Sequence, residues 1–193
     1  MLTLASASPT RAAMLRGAGI AFAVRPARVD EPAAKEALVA AGHPPRDVAD
    51  ALAELKALRV RAEGLVLGCD QVLDHDGAIL SRPATPPEAE ARLRALAGGR
   101  HRLHAAAVLA EGGRPVWRHV ETVTVTVRPL SDAFIAGYVE GHWEEVRQTP
   151  GAYLIEGWGA RLLARVDGDH DAALGLPLKR LVDVLLARGA LES

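Results

Sequence analysis

The chain has 193 residues, of which 49% are hydrophobic and 24% are charged, and its formal net charge is −1. This composition is typical of one globular domain, and a charge so near zero excludes a global field that would attract nucleic acid or an anionic membrane. The single cysteine, Cys69, excludes an internal disulfide and indicates a reducing compartment. We therefore expect a cytoplasmic protein that forms one domain over residues 1–193 and binds no DNA, no RNA and no membrane.

The first predicted strand and helix together form an anion-binding feature. Leu2–Ala5 is predicted to be a strand and Pro9–Arg16 a helix, with Ser8 as the N-cap. The backbone N–H groups at such a helix end attract anions, and Arg11 adds a cation on the first turn. The alternative is an ordinary strand–helix junction with a solvated arginine.

A buried strand and the helix before it supply a carboxylate and an amine. An apolar strand is predicted over Leu65–Cys69, and Asp70 follows it directly. In α/β proteins, ligand sites tend to lie at the carboxyl ends of such strands. Lys56 lies in a helix predicted from about residue 45, next to its apolar positions. The alternatives are that Asp70 only caps the next turn, that Gln71 pairs with backbone, and that Lys56 is solvated.

Strand and helix signals alternate along the rest of the chain. Further strands are predicted at residues 20–24, 103–109 and 120–127, and further helices after the N-caps Thr85 and Ser131 and from about Leu178. Tyr153–Glu156 and Arg161–Val166 are expected to form a hairpin around Gly157-Trp158-Gly159. Hairpins mixed with crossover helices predict an α/β fold with a mixed sheet.

Paired carboxylates indicate a divalent cation. Asp30-Glu31 lies in a polar segment before Pro32, and Mg²⁺ in proteins takes one or two carboxylates with waters and substrate phosphates. An exposed acidic loop is the alternative. The acidic run Asp167–Asp171 lacks the ligand order of a calcium loop and reads mainly as a tight turn, and the histidines show no zinc spacing. Ser8 lacks recognisable His and Asp partners for nucleophilic catalysis, so the whole set suits Mg²⁺-dependent phosphoanhydride chemistry.

Seven features in chain order carry a family resemblance. They are Ala5-Ser6-Ala7-Ser8-Pro9-Thr10-Arg11, Val29-Asp30-Glu31, Leu55-Lys56-Ala57, Leu67-Gly68-Cys69-Asp70-Gln71-Val72, Leu80-Ser81-Arg82-Pro83, Gly151-Ala152-Tyr153-Leu154-Ile155-Glu156-Gly157, and the closing pair Asp167-Gly168-Asp169 and Leu174-Gly175-Leu176-Pro177-Leu178. In this order they resemble the Maf family of nucleoside triphosphate pyrophosphatases over essentially the whole chain. The resemblance implies an α/β fold of one elongated domain, in which helices flank a mixed twisted sheet with a central cleft.

The resemblance also implies a function and a set of site residues. The expected activity is that of a house-cleaning hydrolase of nucleotide metabolism, which cleaves nucleoside triphosphates between the α- and β-phosphates to a monophosphate and pyrophosphate. Mg²⁺ or Mn²⁺ would be held by Glu31 and Asp70, with no organic cofactor, and a homodimer is left open. The implied catalytic residues are Asp70 as general base, Lys56 and Glu31, and Lys56 would also hold a phosphate. The residues implied to bind substrate are Ser8, Arg11, Gln71, Arg82 and Glu156.

Three positions depart from the family pattern. Thr10 stands where the first arginine of a pair is usual, and Ala105 stands where the family has Thr or Ser. Arg82 replaces a lysine, which keeps the charge but exchanges a compact ammonium for a planar fork. Thr10 and Ala105 favour an alternative from another class, a non-catalytic nucleotide-binding regulator linked to septum formation.

Gln71 and Glu156 resemble the subgroup that includes 7-methyl-GTP pyrophosphatases. A carboxylate at position 156 accepts hydrogen bonds from the Watson–Crick edge of guanine, or faces the positive ring of a 7-methylated guanine. The sequence therefore predicts that Glu156 and Gln71 shape base recognition. The alternative is that Glu156 pairs with Arg161 across the predicted hairpin.

Overall fold

Strands and helices alternate along residues 1–192, the part of the chain that the computed structural model describes. The strands are β1 (Leu2–Leu4), β2 (Phe22–Val24), β3 (Leu65–His75), β4 (Ala78–Leu80), β5 (Arg100–Glu111), β6 (Arg114–Val127) and β7 (Leu163–Asp167). The helices are α1 (Pro9–Gly17), α2 (Glu31–Ala40), α3 (Pro45–Arg59), α4 (Pro86–Leu96), α5 (Asp132–Val146), α6 (His170–Ala173) and α7 (Leu178–Ala187), with a 3₁₀ helix at Gly157–Arg161.

The strands form one mixed sheet in the order β2-β1-β3-β5-β6-β7, with β4 paired to β3. β1 runs parallel to both of its neighbours, with Leu4 opposite Val24 of β2 and Leu67 of β3. β4 and β7 pair in the antiparallel sense with β3 and β6, respectively. The predicted α/β class with a mixed sheet flanked by helices is confirmed.

Local capping explains where several helices begin. The hydroxyl of Ser8 accepts a hydrogen bond from the N–H of Arg11, and Thr85 and Ser131 cap α4 and α5 in the same way. Each of these oxygens satisfies a backbone N–H that has no partner within its own helix. Among residues 1–192, no helix combines the length and the apolar composition needed to cross a bilayer.

Two compact units divide the chain. Unit 1 contains residues 1–71, 104–122 and 169–193, and unit 2 contains residues 72–103 and 123–168. The large fully buried side chains of the core cluster in unit 1 are Leu4, Leu15, Leu67, Leu109, Leu176 and Leu181. Those of unit 2 are Leu73, Leu93, Leu96, Ile135 and Leu162.

The strand that carries Asp70 is longer than predicted. β3 continues to His75, so Asp70 lies in its middle and not at its carboxyl end. The strand continues because Leu73, Asp74 and His75 pair with β4 beyond the Asp76–Gly77 turn. The prediction that Asp70 follows the strand is therefore wrong.

Two further segments differ from the predictions. Asp30 and Glu31 are not in a loop: Asp30 caps α2 by accepting from the N–H of Ala33, and Glu31 is the first residue of that helix. The hairpin around Gly157-Trp158-Gly159 is also wrong, since that segment is the 3₁₀ helix and β7 pairs with β6 instead. The reason is a long-range pairing, in which Val166 of β7 lies opposite Val125 of β6.

Candidate active site

Close packing of α3 on β3 brings Lys56 to Asp70. A Cβ on Gly68 would lie 2.1 Å from the carbonyl oxygen of Ala53 and 2.5 Å from the amide nitrogen of Ala57, so only glycine allows the helix so near the strand. Lys56 lies on this buried side of α3 between Ala53 and Ala57. Asp70 follows Gly68 by two residues and therefore faces the same side of the sheet. The Lys56 Nζ lies 2.6 Å from Asp70 Oδ1.

Lys56 also contacts a second carboxylate. Its Nζ lies 3.1 Å from Oε1 of Glu31, which the cap at Asp30 places on the first turn of α2. The Lys56 and Asp70 side chains are 7% and 8% exposed, whereas that of Glu31 is 47% exposed. The structure thus brings the three predicted catalytic residues together, and the alternative of a solvated lysine is wrong. One ammonium holds a buried and an open carboxylate, which suits proton transfer beside solvent.

Arg11 ties three parts of unit 1 together. Its Nε donates to the carbonyl oxygen of Gly175 at 2.9 Å, and its Nη1 donates to that of Cys69 at 3.0 Å and to Oγ of Ser6 at 3.3 Å. The alternative of a solvated arginine is wrong. Burial raises the pKa of the Cys69 thiol to about 11, so this thiol is neutral at physiological pH and is no nucleophile.

The side-chain amide of Gln71 is hydrogen-bonded to the backbone of the protein. Nε2 donates to the carbonyl oxygens of Ala172 and Ala173, both at 3.0 Å. These carbonyls end α6, whose N-terminus is capped by Asp169 through the N–H of Ala172. The structure places the Gln71 amide against backbone, the second of the two roles considered from sequence, and its role toward a base stays a prediction.

The remaining two predicted substrate residues belong to unit 2. Arg82 is exposed in the segment after β4, and Glu156 is exposed directly before the 3₁₀ helix. The hairpin across which Glu156 could pair with Arg161 does not form, because this segment is a 3₁₀ helix. Arg161 instead lies over the rings of Phe134 and Trp158, 5.2 and 5.0 Å from their centroids.

Buried polar contacts anchor the segment that leads to Glu156, and sequence reasoning missed them. Nε2 of His101 lies 2.5 Å from the hydroxyl of Tyr153, and Leu154 N–H donates to the hydroxyl of Tyr138 at 3.1 Å. Burial lowers the pKa of His101 to about 4, so its ring is neutral at physiological pH. The usable signal was His101 itself, two residues before the strand predicted at residues 103–109, since from sequence the histidines are weighed only as metal ligands.

The donor chemistry near Lys56 fits a hard divalent cation. Within residues 1–192, no group of three or more His, Cys, Asp and Glu side chains is arranged to hold a metal. Mg²⁺ needs no such group, because it binds through one or two carboxylates and completes its shell with waters and substrate phosphates. Glu31 and Asp70 converge on one ammonium and provide two such carboxylates.

Comparisons with known proteins agree with one another. A family profile described as Maf-like protein matches residues 1–188. The chain is 49% identical to the nucleoside triphosphate pyrophosphatase of Sphingopyxis alaskensis, over 97% of each chain. It is 46% identical to the protein of the same name from Ruegeria pomeroyi, over 100% of this chain and 98% of that one. It is 43% identical to the 7-methyl-GTP pyrophosphatase of Rhizobium meliloti, again over 100% and 98%.

Proposed function

The chain belongs to the Maf family, and from that premise we propose that it is a nucleoside triphosphate pyrophosphatase. It hydrolyses the bond between the α- and β-phosphates and releases a nucleoside monophosphate and pyrophosphate. The observation that carries this proposal is Lys56 held between Asp70 and Glu31, at 2.6 and 3.1 Å. The names of relatives with 43–49% identity support the reaction class.

Asp70 is the group that takes a proton from water. Lys56 binds Oδ1 and so fixes the orientation of the carboxylate; among residues 1–192, Oδ2 is the oxygen left to accept that proton. The water oxygen forms a bond to the α-phosphorus as the bridging P–O bond to the β-phosphate breaks. Pyrophosphate leaves with that bridging oxygen, and Asp70 later releases its proton to solvent.

Glu31 and Asp70 would hold the divalent cation. When bound, Mg²⁺ or Mn²⁺ supplies neutralisation of phosphate charge. Glu31 suits entry of a hydrated ion because its side chain is 47% exposed. Before a cation binds, the contact with Lys56 keeps the Glu31 carboxylate directed toward Asp70.

Ser8 and Arg11 retain hydrogen-bond donors for a phosphate. The Ser8 oxygen accepts from Arg11 N–H, which leaves its own O–H free to donate. Nε and Nη1 of Arg11 bind carbonyl and hydroxyl oxygens within the described chain. The Nη2 end therefore remains to bind a phosphate oxygen, while the other two nitrogens hold the side chain in place.

Release of pyrophosphate from a panel of nucleoside triphosphates with Mg²⁺ tests the proposed function. Turnover that yields a monophosphate and pyrophosphate in equal amounts supports it. Nucleotide binding with no turnover for any member of the panel would instead favour the non-catalytic regulator, the reading suggested by Thr10 and Ala105.

Activity is expected to require Mg²⁺ or Mn²⁺. The proposed ligands are carboxylates, and hard oxygen ligands favour these ions. Excess EDTA should abolish pyrophosphate release, restored by added Mg²⁺, whereas a chelator selective for zinc should have no effect. Full turnover in excess EDTA contradicts the metal assignment.

Glu156→Gln is expected to move substrate preference from purines toward pyrimidines. An ionised Glu156 accepts from the N1–H and exocyclic amine of guanine and gains further when N7 is methylated, whereas uracil and thymine present carbonyl oxygens beside their N–H. A polar group left unpaired in a site discriminates strongly. The measurement is kcat/KM for 7-methyl-GTP, GTP, UTP and dTTP in both proteins. Glu140→Gln, an exposed change on α5, is the control, and an unchanged ranking for Glu156→Gln would mean that this residue does not read the base.

Location and assembly stay predictions. Composition predicts a cytoplasmic location and no binding of DNA or RNA, the family resemblance predicts action on free nucleotides, and a homodimer is left open. Sedimentation of the purified protein measures its assembly directly.

A further inference from the structure

Arg92 has an unusual set of partners for a helical arginine. It lies in α4, and its Nη1 donates to the backbone carbonyl oxygens of Ser81 and Pro150, the latter at 2.5 Å. The side chain is half-buried, and this burial lowers the pKa of Arg92. A cation that loses hydration is stabilised by strong acceptors, and here the acceptors are two loop carbonyls.

Both carbonyls belong to segments that carry residues assigned to the substrate. Ser81 directly precedes Arg82 in the segment after β4, and Pro150 begins the turn that leads to Glu156. Irregular segments of this kind lack ladder hydrogen bonds, so their separation depends on side-chain contacts. Within unit 2, Arg92 is bonded to both.

The residues that follow Pro150 are closely packed and have a constrained backbone. A Cβ on Gly151 would lie 2.2 Å from the ring of Tyr153, and Ala152 has the positive φ of 56° that non-glycine residues rarely adopt. Tyr153 is buried against His101. The turn that begins at Pro150 and leads to Glu156 is therefore closely packed, and Arg92 holds its first residue.

We propose that Arg92 is a positioning residue that sets the spacing between Arg82 and Glu156, and thereby the fit of a nucleotide's phosphate and base. This rests on the proposed function, which assigns Arg82 to phosphate and Glu156 to base. A guanidinium nitrogen has two hydrogens in one plane and serves two carbonyls at once in a fixed geometry. A lysine at this position has a flexible side chain and no planar group, so it fixes the distance between the two segments less tightly.

The test compares Arg92→Met and Arg92→Lys with Arg94→Met as the matched control. Arg94 lies on the same helix and pairs with Glu90 and Asp132, outside both segments. For Arg92→Met we expect KM for GTP to rise about tenfold while kcat changes by less than about threefold, the pattern of lost binding without lost chemistry. The GTP-to-UTP ratio of kcat/KM should fall toward one, Arg92→Lys should lie between parent and Arg92→Met, and Arg94→Met should match the parent.

A merely structural role gives a different result. It would lower the stability of Arg92→Met to urea and leave KM and the base ranking of the folded fraction unchanged, which would overturn the proposal. If Arg92→Met does not fold, Arg92→Lys decides the question. A parental KM and a parental GTP-to-UTP ratio of kcat/KM overturn the proposal. A raised KM with a ratio closer to one supports it.

The proposed function can fail separately. A parent protein that releases no pyrophosphate refutes the proposed function, and the variants are then titrated with GTP in a calorimeter. Weaker binding by about tenfold in Arg92→Met than in Arg94→Met supports the positioning role, and equal dissociation constants overturn it.

Discussion

Asp70→Asn is expected to lower kcat about 10²–10⁴-fold, the contribution of a positioned general base. The substitution keeps the shape of the side chain and its oxygen acceptor for Lys56, whose Nζ lies 2.6 Å from Oδ1. It removes the ability to take a proton from water, so KM should change far less than kcat. Loss of a negative oxygen donor to the metal would add to the effect. Steady-state pyrophosphate release, with circular dichroism to verify the fold, measures the outcome.

Asp74→Asn is the matched control for this prediction. Asp74 lies four residues further along the same strand, and its side chain is 7% exposed, against 8% for Asp70. Its Oδ1 accepts from Gly77 N–H in the turn before β4, a bond that asparagine also makes. Asp74→Asn should therefore retain parental kcat. Equal activity in the Asp70→Asn variant and the parent would remove Asp70 from the mechanism.

Lys56→Met is expected to lower the free energy of unfolding by about 3–5 kcal/mol, because it leaves the Asp70 carboxylate buried without its cation. Methionine fills a similar volume, so the loss reflects charge and not a cavity. Glu31 contributes less, since its side chain is 47% exposed and water replaces the lost contact. Activity should fall as well, because Asp70 loses the contact that orients it. Urea unfolding at neutral pH gives the free energy.

A double variant separates the charge effect from packing. Lys56→Met with Asp70→Asn removes both charges of the buried pair and should recover most of the lost stability, although not the activity. Arg59→Met is the control, since Arg59 is exposed on the same helix. If Lys56→Met unfolds at the same urea concentration as Arg59→Met, the buried pair does not stabilise the fold.

Much of the fold could be predicted because its signals are local. Ser8, Thr85 and Ser131 cap helices through bonds to residues three positions away, so a short stretch of sequence contains both partners. The apolar run at Leu65–Cys69 likewise marks a buried strand by composition alone. The end of β3 was missed because it depends on pairing with β4. The hairpin was predicted wrongly because β7 pairs with β6, a strand far from it in the chain.

The residues of the candidate site were found in the sequence through their order in seven features, before any contact between them was known. Their individual environments were not found in this way. From sequence, Lys56 and Arg11 could each be solvated, and Gln71 could either orient a ligand or pair with backbone. The structure shows that Lys56 is buried. Because Gly68 has no Cβ, α3 packs closely on β3 and Lys56 contacts Asp70.

By itself, the sequence determined the α/β class and the starts of α1, α4 and α5, and through the family resemblance it predicted the carboxylates and cations of the candidate site. Only the tertiary structure decided that Asp70 lies within a strand, that one buried lysine holds two carboxylates, and that Arg11 and Gln71 fasten α6 and the turn after it. The physical reason is distance along the chain. A cap joins residues three apart, whereas Lys56 meets Asp70 across 14 positions, Gln71 meets Ala172 across 101, and Arg11 meets Gly175 across 164. Contacts at such separations follow from the packing of whole helices on the sheet, and no local pattern of residues encodes them.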